Sequence, residues 1–367
     1  MFDVIRRNPA LPLATLIGAM ASPTREPSQS PGARDSYTGY ARFALLNILK
    51  LLNFERGSRV LLPAYICDVV LLPLEALGLE PVYYGITDAF EIDFDCVKIP
   101  PKTKAIITVN YFGMSLGLPA VESFVRSHDL VWINDNSHGF ASRHGTRRLE
   151  TVGDFSVTSF RKVVPAVNGA RARINNDNYA SMTTRLAALN RPAAVERQLL
   201  RFVGASILGN LGHRPQTLPD YSDPMAFAAE GMMDVRMDAM SGYILQRTIE
   251  DAVQQRRARL YQAVDAFFAQ QRIEHVEPRR GMLQPGNSPM VYPVMVDDPE
   301  RWKAILRAGR DQGIDIHTWP SMPRKVIEGD LFGALAQWRK FLFLPIHQDL
   351  EPTRYCARLS DVFAAAR

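Results

Sequence analysis

Five short apolar runs constrain this chain more than any other feature. They are Arg59 to Pro63, Pro81 to Tyr84, Ala105 to Asn110, Val131-Trp132-Ile133 and Phe155 to Phe160. Each is bounded by proline, polar or turn residues and is predicted as a buried strand. A helix is predicted from about Asp68 to Leu77, ended by Gly78. Ahead of the strands, Tyr40 to Leu52 carries Phe43, Leu45, Leu46, Ile48, Leu49, Leu51 and Leu52 at helical spacing. Short apolar strands alternating with helices belong to a parallel sheet covered on both faces.

The candidate chemistry gathers where two of these strands end. Asn134-Asp135-Asn136-Ser137-His138 follows the fourth strand. An acid at the carboxyl end of a buried strand sits where open α/β sheets keep their ligands. The fifth strand closes on Ser159-Phe160-Arg161-Lys162. Pyridoxal 5′-phosphate (PLP) needs this pair of parts: a lysine amine for the Schiff base, and a carboxylate that keeps the pyridine nitrogen protonated. The Ser159 hydroxyl, three residues before Lys162, is placed to hydrogen-bond the phosphate. Either half alone fits a buried strand with a polar turn, or a basic loop, equally well. The two together, in this order, favour PLP.

The segments Val60 to Asp68, Lys102 to Gly113, Trp132 to Phe140, Gly153 to Phe160, Asp234 to Gln246 and Phe343 to Leu350 resemble, in order, the PLP-dependent sugar aminotransferase family (DegT/DnrJ/EryC1/StrS). The resemblance runs from about Tyr40 onward. It implies PLP fold type I: a large α/β domain with a mostly parallel seven-strand sheet sandwiched by helices, then a small C-terminal α+β domain. It also implies a homodimer. The expected boundaries are an N-terminal arm and linker over 1–35, the PLP domain over 36–250 and the small domain over 251–367.

The same resemblance assigns site residues. Tyr40-Ala41-Arg42 aligns with the family's phosphate turn, so Ala41 and Arg42 are expected to offer backbone amides at a helix N-terminus; a plain helix cap fits as well. Cys67 stands where the family stacks an aromatic on the pyridine ring, which leaves Tyr65 or His138 to supply a face. Tyr65 and Cys67 also fit a purely structural core role. Asn110 matches a polar position bordering the site, and His138 a residue near the cofactor's 3′-oxygen. Two departures stand out. The family lysine follows the serine by five residues, where this chain has Val164; here Lys162 follows Ser159 by three, and the next lysine is Lys303. The glycine-rich stretch after the lysine is reduced to Asn168-Gly169-Ala170-Arg171, where Arg171 either blocks the site or reads a substrate carboxylate or phosphate.

Size and composition set the outer bounds. A chain of 367 residues with 47% hydrophobic and 22% charged residues builds one large or two ordinary domains. The net charge of +5 is spread out, without a run of nucleic-acid type; Arg256-Arg257 and Arg279-Arg280 read as solvated faces. Three cysteines without metal spacing fit a reducing, cytoplasmic setting, and no apolar run reaches membrane-spanning length. No metal site is expected. Ser22 to Ser36 is rich in proline, serine and glycine and reads as linker, and His213 reads as an exposed loop residue. Met232-Met233 reads as core. A long helix is expected from Arg236-Met237 to about Phe268, linking the large domain to the C-terminal one, with short strands at Met290 to Val296 and Ile314 to Thr318 beyond it.

The resulting expectation is an aminotransferase that moves an amino group, with glutamate or glutamine as donor, to a keto-sugar or other small carbonyl compound through Lys162. Elimination, decarboxylation or desulfuration on the same scaffold is the alternative, and a non-catalytic relative the third.

Overall fold

The computed structural model describes residues 4–21, 33–189, 196–210, 218–225 and 235–366. His213, Met232 and Met233 lie outside them. The strands of the first half are β1 (Asp35–Thr38), β2 (Arg59–Pro63), β3 (Glu80–Tyr84), β4 (Thr103–Val109), β5 (Val131–Asp135), the short hairpin of β6 (Arg143–His144) and β7 (Arg147–Arg148), β8 (Phe155–Ser159) and β9 (Ala170–Ile174). Seven of them make one sheet in the order β1-β9-β8-β5-β4-β2-β3. β3, β2, β4, β5 and β8 are parallel, and β9 runs antiparallel between β8 and β1.

Alternate residues of each strand serve opposite layers. Leu61, Ile106 and Trp132 pack with Val121 and Val125 of the Leu118–His128 helix. Leu62, Ile107, Ile133 and Phe155 face the other layer, with Ile48 and Leu49 of the Ala41–Leu52 helix. This two-sided burial is why the strands read as unbroken apolar runs. The predicted helix after Cys67 is a 3₁₀ turn, Asp68–Val70, continued by Leu71–Leu77. Gly78 ends it with φ 67, a left-handed C-cap that glycine adopts without a Cβ clash.

Three antiparallel strands follow: β10 (Val276–Pro278), β11 (Val291–Val296) and β12 (Phe341–Pro345). The Pro352–Ala365 helix packs on the Glu250–Gln270 and Pro299–Asp311 helices, and those two pack on β11. The two sheets share one core, since Phe90 packs on Phe341 and Phe112 on Phe343, each pair with centroids 4.8 Å apart.

Four expectations are corrected. The long helix after Arg236 is two helices, Ala239–Arg247 and Glu250–Gln270, because Thr248 turns extended and its Oγ1 caps the Ile244 carbonyl at 2.9 Å. Ile314 to Thr318 is not a strand; it makes single bridges, Ile314 to Ile5 and His317 to Phe343. The arm is more than a linker. Leu13–Ala21 is helical, Leu11, Leu16 and Ala19 are buried beside Met240 and Ile244, and β1 begins at Asp35. Arg257 is wholly buried rather than solvated, because its side chain is enclosed between the Val163 and Pro289 carbonyls and Gln348.

Candidate active site

Strand register builds the floor of the main cavity. Val109, Asp135 and Val157 lie side by side across β4, β5 and β8, and Ile107 and Ile133 pair one step behind them. All five line a cavity at the carboxyl ends of the parallel strands, together with Ser159, Lys162 and Trp319. The apolar floor excludes water, so the few polar groups around it act in a low dielectric.

At one end the cavity meets the N-terminus of the Ala41–Leu52 helix. Tyr40 is its extended N-cap, with φ −140 and ψ 152, and no side chain caps it. The amides of Ala41 and Arg42 belong to the first turn, where the helix offers no acceptor and its dipole favours an anion. Two guanidiniums flank this end. The Arg42 Cζ lies 4.9 Å from the Tyr40 ring centroid and the Arg161 Cζ 5.4 Å from it. Both arginines line the cavity, and the buried Arg42 Nε has no hydrogen-bond partner among the described residues.

Asp135 closes β5. Its Oδ1 accepts the Ser137 amide at 2.9 Å, and the backbone N–H of Asn110 holds its carbonyl at 3.1 Å. His138 is buried, and its Nδ1 accepts the Phe112 amide at 3.2 Å, which places the proton of the neutral ring on Nε2. Burial keeps this imidazole well below the usual histidine range, and Lys162 and His317 nearby, in their protonated forms, add to the effect. The ring stacks 7° from parallel on Phe112 and meets Trp319 edge-on. Burial also lowers the Lys162 amine; Cys67 and Asp135 pull it back up, and Arg161 and Arg7 lower it further. The Cys67 thiol is pushed up to about 11 by burial, so at neutral pH it is a protonated, uncharged wall.

Lys162, Asp135, His138, Ala41, Arg42, Cys67 and Ser159 thus share one cavity. Tyr65 and Asn110 do not line it. Tyr65 is fully buried behind the wall, its ring 5.1 Å from Trp319, and cannot offer a face to a ligand there. Asn110 turns to the Asn136 side chain, with Nδ2 donating to Oδ1 at 2.8 Å. Arg171 neither blocks the cavity nor reads a substrate. On β9 it alternates to the opposite face, paired with Glu150 and with Asp35. Tyr40, Ser137, Arg161 and Trp319 are the polar or aromatic lining residues to which sequence reasoning gave no role of their own. Arg161 had a signal, its place next to Lys162. Trp319 arrives from the second half of the chain, and Ser321 ties its segment to the Cys67 turn by a 2.6 Å bond to Asp68 Oδ1.

A family model described as the DegT/DnrJ/EryC1/StrS aminotransferase family matches residues 41–352. The chain belongs to this family. Among relatives of this DegT-type chain, a UDP-4-amino-4,6-dideoxy-N-acetyl-beta-L-altrosamine transaminase of Helicobacter pylori is 30% identical over 28% of this chain and 28% of its own length. The match thus spans under a third of that relative. A dTDP-3-amino-3,4,6-trideoxy-alpha-D-glucose transaminase of Micromonospora megalomicea is 24% identical over 78% of this chain and 70% of its own. The same fold occurs in Spr1654 of Streptococcus pneumoniae, solved in PLP and PMP forms; the PMP form has a TM-score of 0.72 at 18% identity, covering 100% of this chain and 98% of the other. DegT-type aminotransferases are PLP-dependent, and the donor set of this cavity fits that cofactor: cations and a helix N-terminus at one end, a carboxylate on the floor and a lysine amine beside it.

Proposed function

We propose that the protein is a PLP-dependent aminotransferase that takes an amino group from an α-amino acid, glutamate or glutamine, and gives it to a keto-sugar. The observation that carries this reading is the meeting of Asp135, Lys162 and the Ala41–Arg42 helix end in one cavity. The Ala41 and Arg42 amides, the Ser159 hydroxyl and the guanidiniums of Arg42 and Arg161 bind the phosphate. Asp135, steadied by Ser137 and Asn110, accepts the pyridinium N–H. His138 donates its Nε2–H to the 3′-oxygen and stays uncharged while doing so. Lys162 Nζ is the attachment point; once released, its lowered basicity suits it to lift the proton from the donor's α-carbon and return it elsewhere. Bound there, PLP supplies the electron sink for the charge that develops at that carbon. Trp319 and the floor residues keep water out. We place the enzyme in the cytoplasm, where Cys67, Cys96 and Cys356 remain free thiols. We propose a homodimer, to be read by light scattering. Among the described residues no helix is long and apolar enough to cross a membrane.

The purified protein should absorb in the visible, and borohydride should fix the cofactor to a peptide containing Lys162. Glutamate or glutamine alone should then yield about one equivalent of keto acid per site, with no acceptor present. A colourless protein that gains no colour on adding PLP sinks the reading. Release of ammonia or carbon dioxide from the donor instead, or of sulfide from cysteine, would establish the alternative chemistries.

A further inference from the structure

Phosphate and attachment occupy Arg42, Arg161 and Lys162, and among the described residues no other lysine or arginine lines the cavity. An α-amino acid brings a carboxylate, and over an apolar floor a carboxylate needs a cation to offset its lost hydration. A candidate is on the N-terminal arm. Ile5 is pinned to the second half of the fold on both sides: its N–H donates to the Gly313 carbonyl at 2.7 Å, and its carbonyl accepts the Asp315 amide at 2.8 Å. Two residues on, Arg7 is held by three contacts. Its backbone N–H reaches Asp315 Oδ2 at 3.3 Å, its Nε lies 3.7 Å from the same oxygen, and its Cζ sits 5.1 Å from the Tyr221 ring centroid.

These contacts fix the guanidinium by one edge and one face. They leave the two terminal nitrogens without a partner among the described residues, with the side chain 29% exposed. That free edge is the fork that grips a carboxylate with two parallel bonds. Arg7 does not itself line the cavity, but its contacts lead to the wall. Tyr221 packs 5.6 Å from His317, Thr318 Oγ1 donates to the Tyr221 carbonyl at 3.2 Å, and the next residue is the lining Trp319. Its charge reaches both Lys162 and Arg161, lowering each.

We infer that Arg7, carried in by the arm and oriented by Asp315 and Tyr221, receives the α-carboxylate of the amino donor at the cavity rim. This rests on the aminotransferase reading above. It makes the arm part of donor recognition, a positioning and specificity role distinct from the chemistry at Lys162.

The test uses the PLP-loaded full chain and glutarate, a dicarboxylate with no amine to transfer. In the unchanged protein glutarate should shift the visible band and raise the melting temperature in a saturable way. Arg7→Gln should weaken glutarate about tenfold or more, and Arg7→Lys should fall between the two. With glutamate or glutamine as donor, the concentration for half-maximal keto acid formation should rise by a similar factor, while the rate at saturation changes less. PLP affinity, read from quenching of tryptophan fluorescence, should stay the same in all three proteins. Unaltered glutarate and donor affinity in Arg7→Gln, with PLP bound normally, overturns the role of Arg7 alone, as does an unchanged protein that ignores glutarate. A chain that binds no PLP overturns the aminotransferase reading, and this inference with it.

Discussion

Arg257 offers the sharpest test of how the second half of the chain holds the reactive loop. It is wholly buried, yet among the described residues no carboxylate hydrogen-bonds it. Its Nε donates to Gln348 Oε1 at 2.8 Å, Nη1 to the Pro289 carbonyl at 3.2 Å and Nη2 to the Val163 carbonyl at 3.1 Å. Val163 directly follows Lys162, and its carbonyl takes a second bond from Gln348 Nε2 at 3.1 Å. Burial weakens this guanidinium's hold on its proton, lowering it to about 9, with Asp349 offsetting part of the effect. Arg257→Met keeps most of the apolar stem and removes the fork. The Pro289 carbonyl and Gln348 Oε1 then lose a donor, at roughly 1–3 kcal/mol each. Val163 retains its bond from Gln348. Relief from burying a cation works the other way, so the net loss should be about 2–4 kcal/mol. Urea unfolding followed by tryptophan fluorescence measures it, and borohydride labelling of Lys162 reports whether the loop has loosened. A midpoint within about 0.5 kcal/mol of the parent, or above it, would refute the argument that these bonds outweigh the cost of the buried charge.

Two further outcomes follow from the site. Asp135→Asn should leave the unfolding midpoint nearly unchanged, because the position is at a strand end, but should remove most keto acid formation, since an unprotonated pyridine is a poor electron sink; near-normal turnover would take Asp135 out of the site. His138, His317 and His347 are all held neutral by burial, His317 at about 4 and His347 at about 3. The unfolded chain protonates them below about 6.5, so it binds more protons than the fold. Stability should therefore fall as pH drops from about 6.5 towards 4 for His317 and 3 for His347, by about 1.4 kcal/mol per pH unit for each. Urea midpoints at pH 7.5 and 5 check this, and equal values would refute it.

The parallel sheet and the Asp135–Lys162 pairing were legible because both are local. Strands buried on both faces leave apolar runs, and the chemistry sits at their ends. Arg171 was misread although the signal was present. In Ala170-Arg171-Ala172-Arg173-Ile174 the small and apolar residues alternate with arginines, so a period of two already turned Arg171 away from the Lys162 side. Tyr65 and Asn110 stand beside cavity residues in sequence, and only three-dimensional packing tells a lining side chain from one behind the wall. Trp319 and Arg7 carry no local signal at all. Their places depend on pairings between distant parts of the chain, which no spacing rule reaches.

The way Ile5 and Arg7 dock has a temporal consequence. Their partners, Gly313 and Asp315, lie about three hundred positions later; the Arg7–Asp315 bond spans 308. A ribosome releases the arm long before its anchoring sites, so the arm has nothing to dock on while the central sheet forms. Contacts of such sequence separation close late. The arm is therefore docked after the cavity floor is formed, and a nascent chain can gather Asp135 and Lys162 well before Arg7 is in place.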